Sequence, residues 1–151
     1  MDGGRGPGNV GSSIWSTVQR NEIGVTSSSR LVAVRRGQHG GFARWVFEFD
    51  GARAPGYRVG LNAQPSKCGS GEMLPGTGGT WLEMRFAPAV AHALSEAPVG
   101  PTLPPTLTST CDFEGEVGFA LPLPAETPFR ILRLTSPTRI VIDIQAKGHP
   151  S

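Results

Sequence analysis

Arg30, Arg35, Arg36, His39 and Arg44 form the densest basic cluster of the sequence. Arginine offers carboxylates and phosphates a planar fork of donors, so the cluster fits an anionic polymer, a peptide carboxylate or a phosphate. The same charges also serve to blunt an edge strand and its hairpin, with no ligand involved. Two carboxylate pairs, Glu48 with Asp50 and Glu114 with Glu116, recur at i, i+2. Such neighbours on one strand face stand about 7 Å apart, within the ~5–9.5 Å that glycosidase acids require. The pairs alternate with apolar residues, however, as a solvated strand face does, and nothing beside them marks one as an acid.

Other reactive patterns are weaker. Gly76-Thr77-Gly78-Gly79-Thr80 lacks the spacing and the following lysine of a phosphate-binding loop, and it precedes a strand pattern where a dinucleotide fingerprint would open a helix. It reads as a hairpin loop. The histidines, His39, His92 and His149, are too far apart to set two ligands on one metal by spacing, and two cysteines cannot complete a structural zinc site alone. No metal and no cofactor are expected. Cys68 and Cys111 fit one disulfide, worth about 4 kcal/mol for a loop of that length on the chain-entropy model, and a sign of an oxidising compartment. Two buried free thiols are the alternative.

The elements that must position these residues read as strands. In Ala43–Asp50 the odd positions are Ala, Trp, Phe and Phe, and the even ones Arg, Val, Glu and Asp, the period of two of a strand with one buried face. The same alternation marks 57–62, 81–86, 117–121 and 139–144, while 31–35 and 129–134 are less regular but rich in β-formers. Gly-Gly, Asp-Gly, Pro-Gly and Ser-Pro pairs fall between the runs, where turns need them. Seven short strands so punctuated predict an all-β, antiparallel sandwich or barrel-like fold with at most one short helix, at Pro88–Ala97. The prolines from Pro98 to Pro105 predict a long surface loop.

Gly and Pro number 21 and 14 in 151 residues, near the level at which disorder sets in, yet only 17 % of residues are charged and 38 % are hydrophobic. The glycines divide between residues 1–11, which hold almost nothing apolar, and the turns. Residues 1–29 therefore read as a flexible Gly/Ser-rich leader, partly docked from about residue 14, residues 30–146 as the folded domain, and 147–151 as a tail. The net charge of +2 is a near balance and leaves no basic footprint for nucleic acid. No apolar run is long enough for a membrane span, and no signal peptide is visible at the amino end.

The block Arg36-Gly37-Gln38-His39-Gly40-Gly41-Phe42-Ala43-Arg44-Trp45-Val46-Phe47-Glu48-Phe49-Asp50-Gly51, followed by Pro55-Gly56-Tyr57-Arg58-Val59, resembles the AMIN-like domain family. Gly69-Ser70-Gly71, Leu82–Pro88 leading to Ala91-His92, Asp112-Phe113-Glu114-Gly115 and Phe129-Arg130 with Pro137–Asp143 extend the likeness over about 30–145. Trp15-Ser16 is similar to an upstream Trp of the family, and Ala43 stands where the family usually has an acidic residue. The resemblance implies a sandwich of the AMIN type, related to the non-catalytic modules of N-acetylmuramoyl-L-alanine amidases and pilus secretins. It implies an extracytoplasmic place in the envelope and, as partner, a cell-wall polymer, peptidoglycan above all, or an envelope protein.

The expectation is therefore a non-enzymatic envelope module that binds a wall component near Arg35, Arg36, His39, Arg44 and Tyr57, with stacking on Trp45, Tyr57 or Trp81 where these are exposed. Within the hairpin, His39 and Arg44 are equally placed to hydrogen-bond across the turn in a purely structural role. The alternative function is a structural or protein-interaction domain, docking by strand addition without glycan binding.

Overall fold

The computed structural model describes residues 14–24, 28–91 and 102–146, and these contain strands, turns and loops but no helix. The strands are β1 (Arg20–Glu22), β2 (Ser29–His39), β3 (Phe42–Phe49), β4 (Gly56–Asn62), β5 (Thr80–Ala87), β6 (Ala89–Val90), β7 (Thr108–Phe113), β8 (Glu116–Leu123), β9 (Phe129–Leu134) and β10 (Thr138–Gln145). They form two five-stranded sheets, ordered β1-β4-β5-β8-β7 and β6-β2-β3-β10-β9. Every pairing between them is antiparallel except the short parallel contact of β2 with β6.

The alternation in the sequence decides what lies between the sheets. Trp45, Phe47 and Phe49 of β3 and Ile140, Ile142 and Ile144 of β10 turn inward from one sheet; Val59, Leu82, Met84, Phe86, Val117 and Phe119 meet them from the other. Phe47 packs on Phe86 and Phe119 with ring centroids 5.0 and 5.5 Å apart, so aromatic contacts join the two layers at their middle. Of the sandwich and the barrel-like fold that the period of two allows, the chain forms the sandwich, as the family resemblance implies. β1, β6 and β7 lack that period, because they are two to six residues long and lie on sheet edges.

Pro88–Val90 does not begin a helix. Ala89 and Val90 pair with Ser29 and Arg30, Ala89 donates its N–H to the Gly115 carbonyl at 2.8 Å, and its methyl is buried in the core. Pairing and burial override the weak helical signal. Residues 92–97, with His92, lie outside the described residues, as do the leader residues 1–13, the tail 147–151 with His149, and 98–101 of the proline-rich loop.

Three local devices set the surfaces. In β2 the register slips between Leu31 and Ala33, leaving Val32 unopposed as a bulge. Leu31 and Val34 both point inward as a result, which explains the irregular pattern of this strand. Residues 63–79 fold over the outer face of the β4-β5-β8 region as a cap. Cys68 and Cys111 are bonded, the Cys68 N–H reaches the Thr110 carbonyl, and Leu74 packs with Trp81 and Ala120 in a small second core. Beneath the cap Arg85 lies across Gly118, where a Cβ would stand 2.6 Å from the arginine Cδ, and its guanidinium reaches Glu116, Glu83 and the Ser66 carbonyl.

The third device is a strap, residues 14–24. Ser16 exchanges two 3.0 Å backbone hydrogen bonds with Phe129 at the edge of one sheet, and β1 then pairs with β4 at the edge of the other. Arg20 fastens the crossing: it donates to the Ile14 carbonyl at 2.8 Å and lies 5.4 Å over the Phe129 ring. Gly24 meets Gly56 backbone to backbone, so close that a Cβ on Gly24 would fall 1.9 Å from the Gly56 nitrogen.

Candidate ligand-binding face

The outer face of the β2-β3-β10-β9 layer carries rows of side chains fixed by register. Gly37, Arg44, Asp143 and Arg130 stand in one row, and His39, Phe42 and Gln145 in the next. Asp143 is fully buried, an exceptional state for a carboxylate unless it is paired. Arg44 supplies that pairing through Nε at 2.8 Å and Nη2 at 2.9 Å, and Arg130 adds its Nε at 2.9 Å. Two guanidiniums share one carboxylate, so the group has a surplus positive charge. Both arginine side chains remain about a quarter exposed, at 28 % and 24 %. Hydrogen bonding to Asp143 holds the Arg44 guanidinium above its ordinary pKa, with burial pulling the other way, and the cation persists at any physiological pH.

Aromatic rings frame this charge. Arg130 sits 4.4 Å over Trp15 and 5.0 Å over Phe42, in the corner made by two rings 5.8 Å apart and inclined at 61°. Arg44 lies 5.5 Å over the same Phe42, and His39 stacks on Phe42 at 4.9 Å. His39 and Phe42 are brought together by the hairpin at Gly40-Gly41, which joins β2 to β3. Trp15 arrives from the strap.

The basic cluster of the sequence is thus divided. Arg35, His39 and Arg44 lie on this outer face, Arg35 paired with Glu48 at 2.9 Å. Arg36, one residue on, points the other way, 5.8 Å over the ring of Trp45, and lines a cavity of about 290 Å³ between the sheets with Thr106 and Leu123. Tyr57 belongs to the other sheet. Its ring is buried, it stands opposite Glu22 in the β1–β4 ladder, and it borders a cleft of about 680 Å³ with Arg58, Pro88 and Glu116. Trp45 and Trp81 are buried as well, so none of the three rings named for stacking is exposed.

The carboxylate pairs are occupied in different ways. Glu48 meets Arg35, Asp50 accepts from the Arg30 N–H at 2.8 Å, Glu116 meets Arg85, and Glu114 occupies a left-handed position, φ 52°, in the β7–β8 turn. Among the described residues no three His, Cys, Asp or Glu side chains gather where they could hold a metal. Arg130 and Asp143 escaped sequence reasoning because they lie 13 residues apart on neighbouring strands, and Arg44 is 99 residues from its partner. The available signal was an aspartate at the end of the apolar run Ile140–Ile142, which calls for a cation.

The profile of the AMIN-like domain matches residues 29–146. The chain therefore belongs to the AMIN-like family, and membership points to a module of cell-envelope proteins that works outside the cytoplasm. No curated protein and no solved structure matches it. The strap, with Trp15, lies upstream of the matched span.

Proposed function

We propose that this chain is a non-catalytic binding module that attaches its parent protein to an anionic wall polymer, most directly peptidoglycan, through the outer face of the β2-β3-β10-β9 layer. The observation that carries the reading is the surplus cation of Arg44 and Arg130 around one buried Asp143, framed by Trp15, Phe42 and His39. Forked donors suit the carboxylates of a wall peptide, and aromatic edges suit the apolar faces of its sugars. Arg35, His39 and Arg44 take part; Arg36 and Tyr57, which face elsewhere, do not.

Docking of a partner by strand addition fits less well, because the sheet edges are short or occupied. β1 and β6 have three and two residues, Thr110 in the middle of β7 accepts from the cap, and Phe129 of β9 is taken by Ser16. Sedimentation with purified sacculi tests the reading. The wild-type chain is expected to be retained above a control protein of similar charge, less so as salt rises, and Arg130→Gln and His39→Ala are each expected to lower retention. Retention no higher than the control, or indifferent to both substitutions, would overturn it.

A further inference from the structure

A wall polymer offers the surplus cation both peptide carboxylates and sugar hydroxyls, and the guanidinium geometry discriminates between them. Arg130 uses only Nε to bind Asp143; neither Nη nitrogen has a hydrogen-bond partner among the described residues. Arg44, by contrast, spends both Nε and Nη2 on the same carboxylate. The outer edge of the Arg130 guanidinium is therefore an unused pair of parallel donors, the geometry that grips a carboxylate with two hydrogen bonds. Its orientation is fixed in advance: Asp143 holds the inner edge, and the guanidinium carbon stands 4.4 and 5.0 Å from the ring centres of Trp15 and Phe42. Little side-chain freedom remains to be lost on binding.

We infer that Arg130 and Trp15 form a receptor for the free carboxylate of a short peptide, with the neighbouring small apolar side chain lodged against the Trp15 indole. This rests on the wall-binding reading and specifies it: the contact is to a peptide terminus and not to the glycan backbone. It also gives the strap a function, because Trp15 lies outside the span matched by the family and is held in place by the Ser16 bridge to Phe129 and by Arg20. The ion pair has a favourable sign. With two arginines to one aspartate, an incoming carboxylate completes the neutralisation of the group, whereas an amide leaves the surplus charge as it was.

The test is an amide-resolved NMR titration of the full chain with N-acetyl-D-alanyl-D-alanine, with the carboxamide of the same dipeptide, and with a chitin oligosaccharide. The acid is expected to give saturable shifts at the Trp15 indole N–H and the Arg130 Nε–H, with the indoles of Trp45 and Trp81 unmoved. The carboxamide is expected to bind about tenfold or more weakly, the loss of one charge-assisted pair. Arg130→Gln is expected to reduce affinity for the acid to that for the amide, and Arg58→Gln, on the other sheet, to leave it unchanged. Should Arg130→Gln fail to fold, Trp15→Ala on the strap reads the same contact and is expected to weaken the acid severalfold. Equal affinity for acid and amide, or shifts confined to another surface, would overturn the inference. If sacculi are retained while acid and amide bind alike, the receptor is wrong and the wall-binding reading stands. If sacculi are not retained while the acid binds selectively, the wall-binding reading falls and the receptor stands.

Discussion

Asp143 is the residue on which the candidate face depends. Its carboxylate is fully buried and accepts from two arginines that solvent still reaches. Removing the carboxylate leaves both cations without their partner, while removing one arginine leaves Asp143 with the other. Asp143→Asn is therefore expected to cost about 2–3 kcal/mol, below the ~3–5 kcal/mol typical of breaking a fully buried pair because water screens the guanidiniums. Arg130→Gln is expected to cost less than half as much. Urea unfolding of the two variants measures the difference, and equal losses would show that Asp143 is not the shared centre. At this scale the sequence was informative in part. Arg44 and His39 stood out through their spacing around a hairpin, and Trp45, Phe47 and Phe49 through a period of two. Arg130 did not, because its role depends on a register between β9 and β10 that no local pattern encodes.

At the scale of elements, the alternation in β3, β5, β8 and β10 was strong enough to fix which face of each strand is buried. It failed in β2, where the Val32 bulge inverts the phase midway, and the basic cluster that looked like one patch serves two surfaces because Arg35 and Arg36 are successive residues of one strand. It was also silent about the cap, whose order comes from one covalent bond and a handful of backbone contacts. Reducing the Cys68–Cys111 bond is expected to release this cap while the main core persists, since the Trp81 indole donates to the Pro75 carbonyl at 3.1 Å and packs on Leu74. Tryptophan emission should shift to the red with little change in the far-ultraviolet spectrum, and the reduced protein should lose about 4 kcal/mol of stability. An unchanged emission spectrum after full reduction would show that the cap holds without the bond.

Across the whole molecule, the two sheets are latched along one side by Tyr57, Glu22 and Arg133. Arg133 reaches from β9 to the Pro55 carbonyl, approaches Glu22 at 3.9 Å and lies 5.6 Å over the Tyr57 ring. Burial first, and the Glu22 carboxylate second, push the Tyr57 phenol above its ordinary 10.0, with Arg133 and Arg20 opposing. A raised pKa in the fold means that the neutral phenol is favoured there. Its contribution to stability is complete below pH 10 and is lost as pH rises through the folded value. Tyr57 is the sole tyrosine of the chain, so absorbance of the phenolate reports it alone. The native midpoint is expected above 10 and the value in strong denaturant near it; a native midpoint at or below 10 would contradict the latch. Tyr57→Phe is expected to abolish this alkaline loss of stability.

The bulge at Val32 has a consequence for the length of β2. The ladder pairs Leu31 with Phe49 and then Ala33 with Glu48, so Val32 is an extra residue that opposes nothing. Its deletion would make the ladder regular and keep every later pairing, leaving Arg35 and His39 on the outer face with Arg44, and Arg36 at the cavity between the sheets. The bulge thus lets the strand shorten by one residue without moving a side chain of either surface.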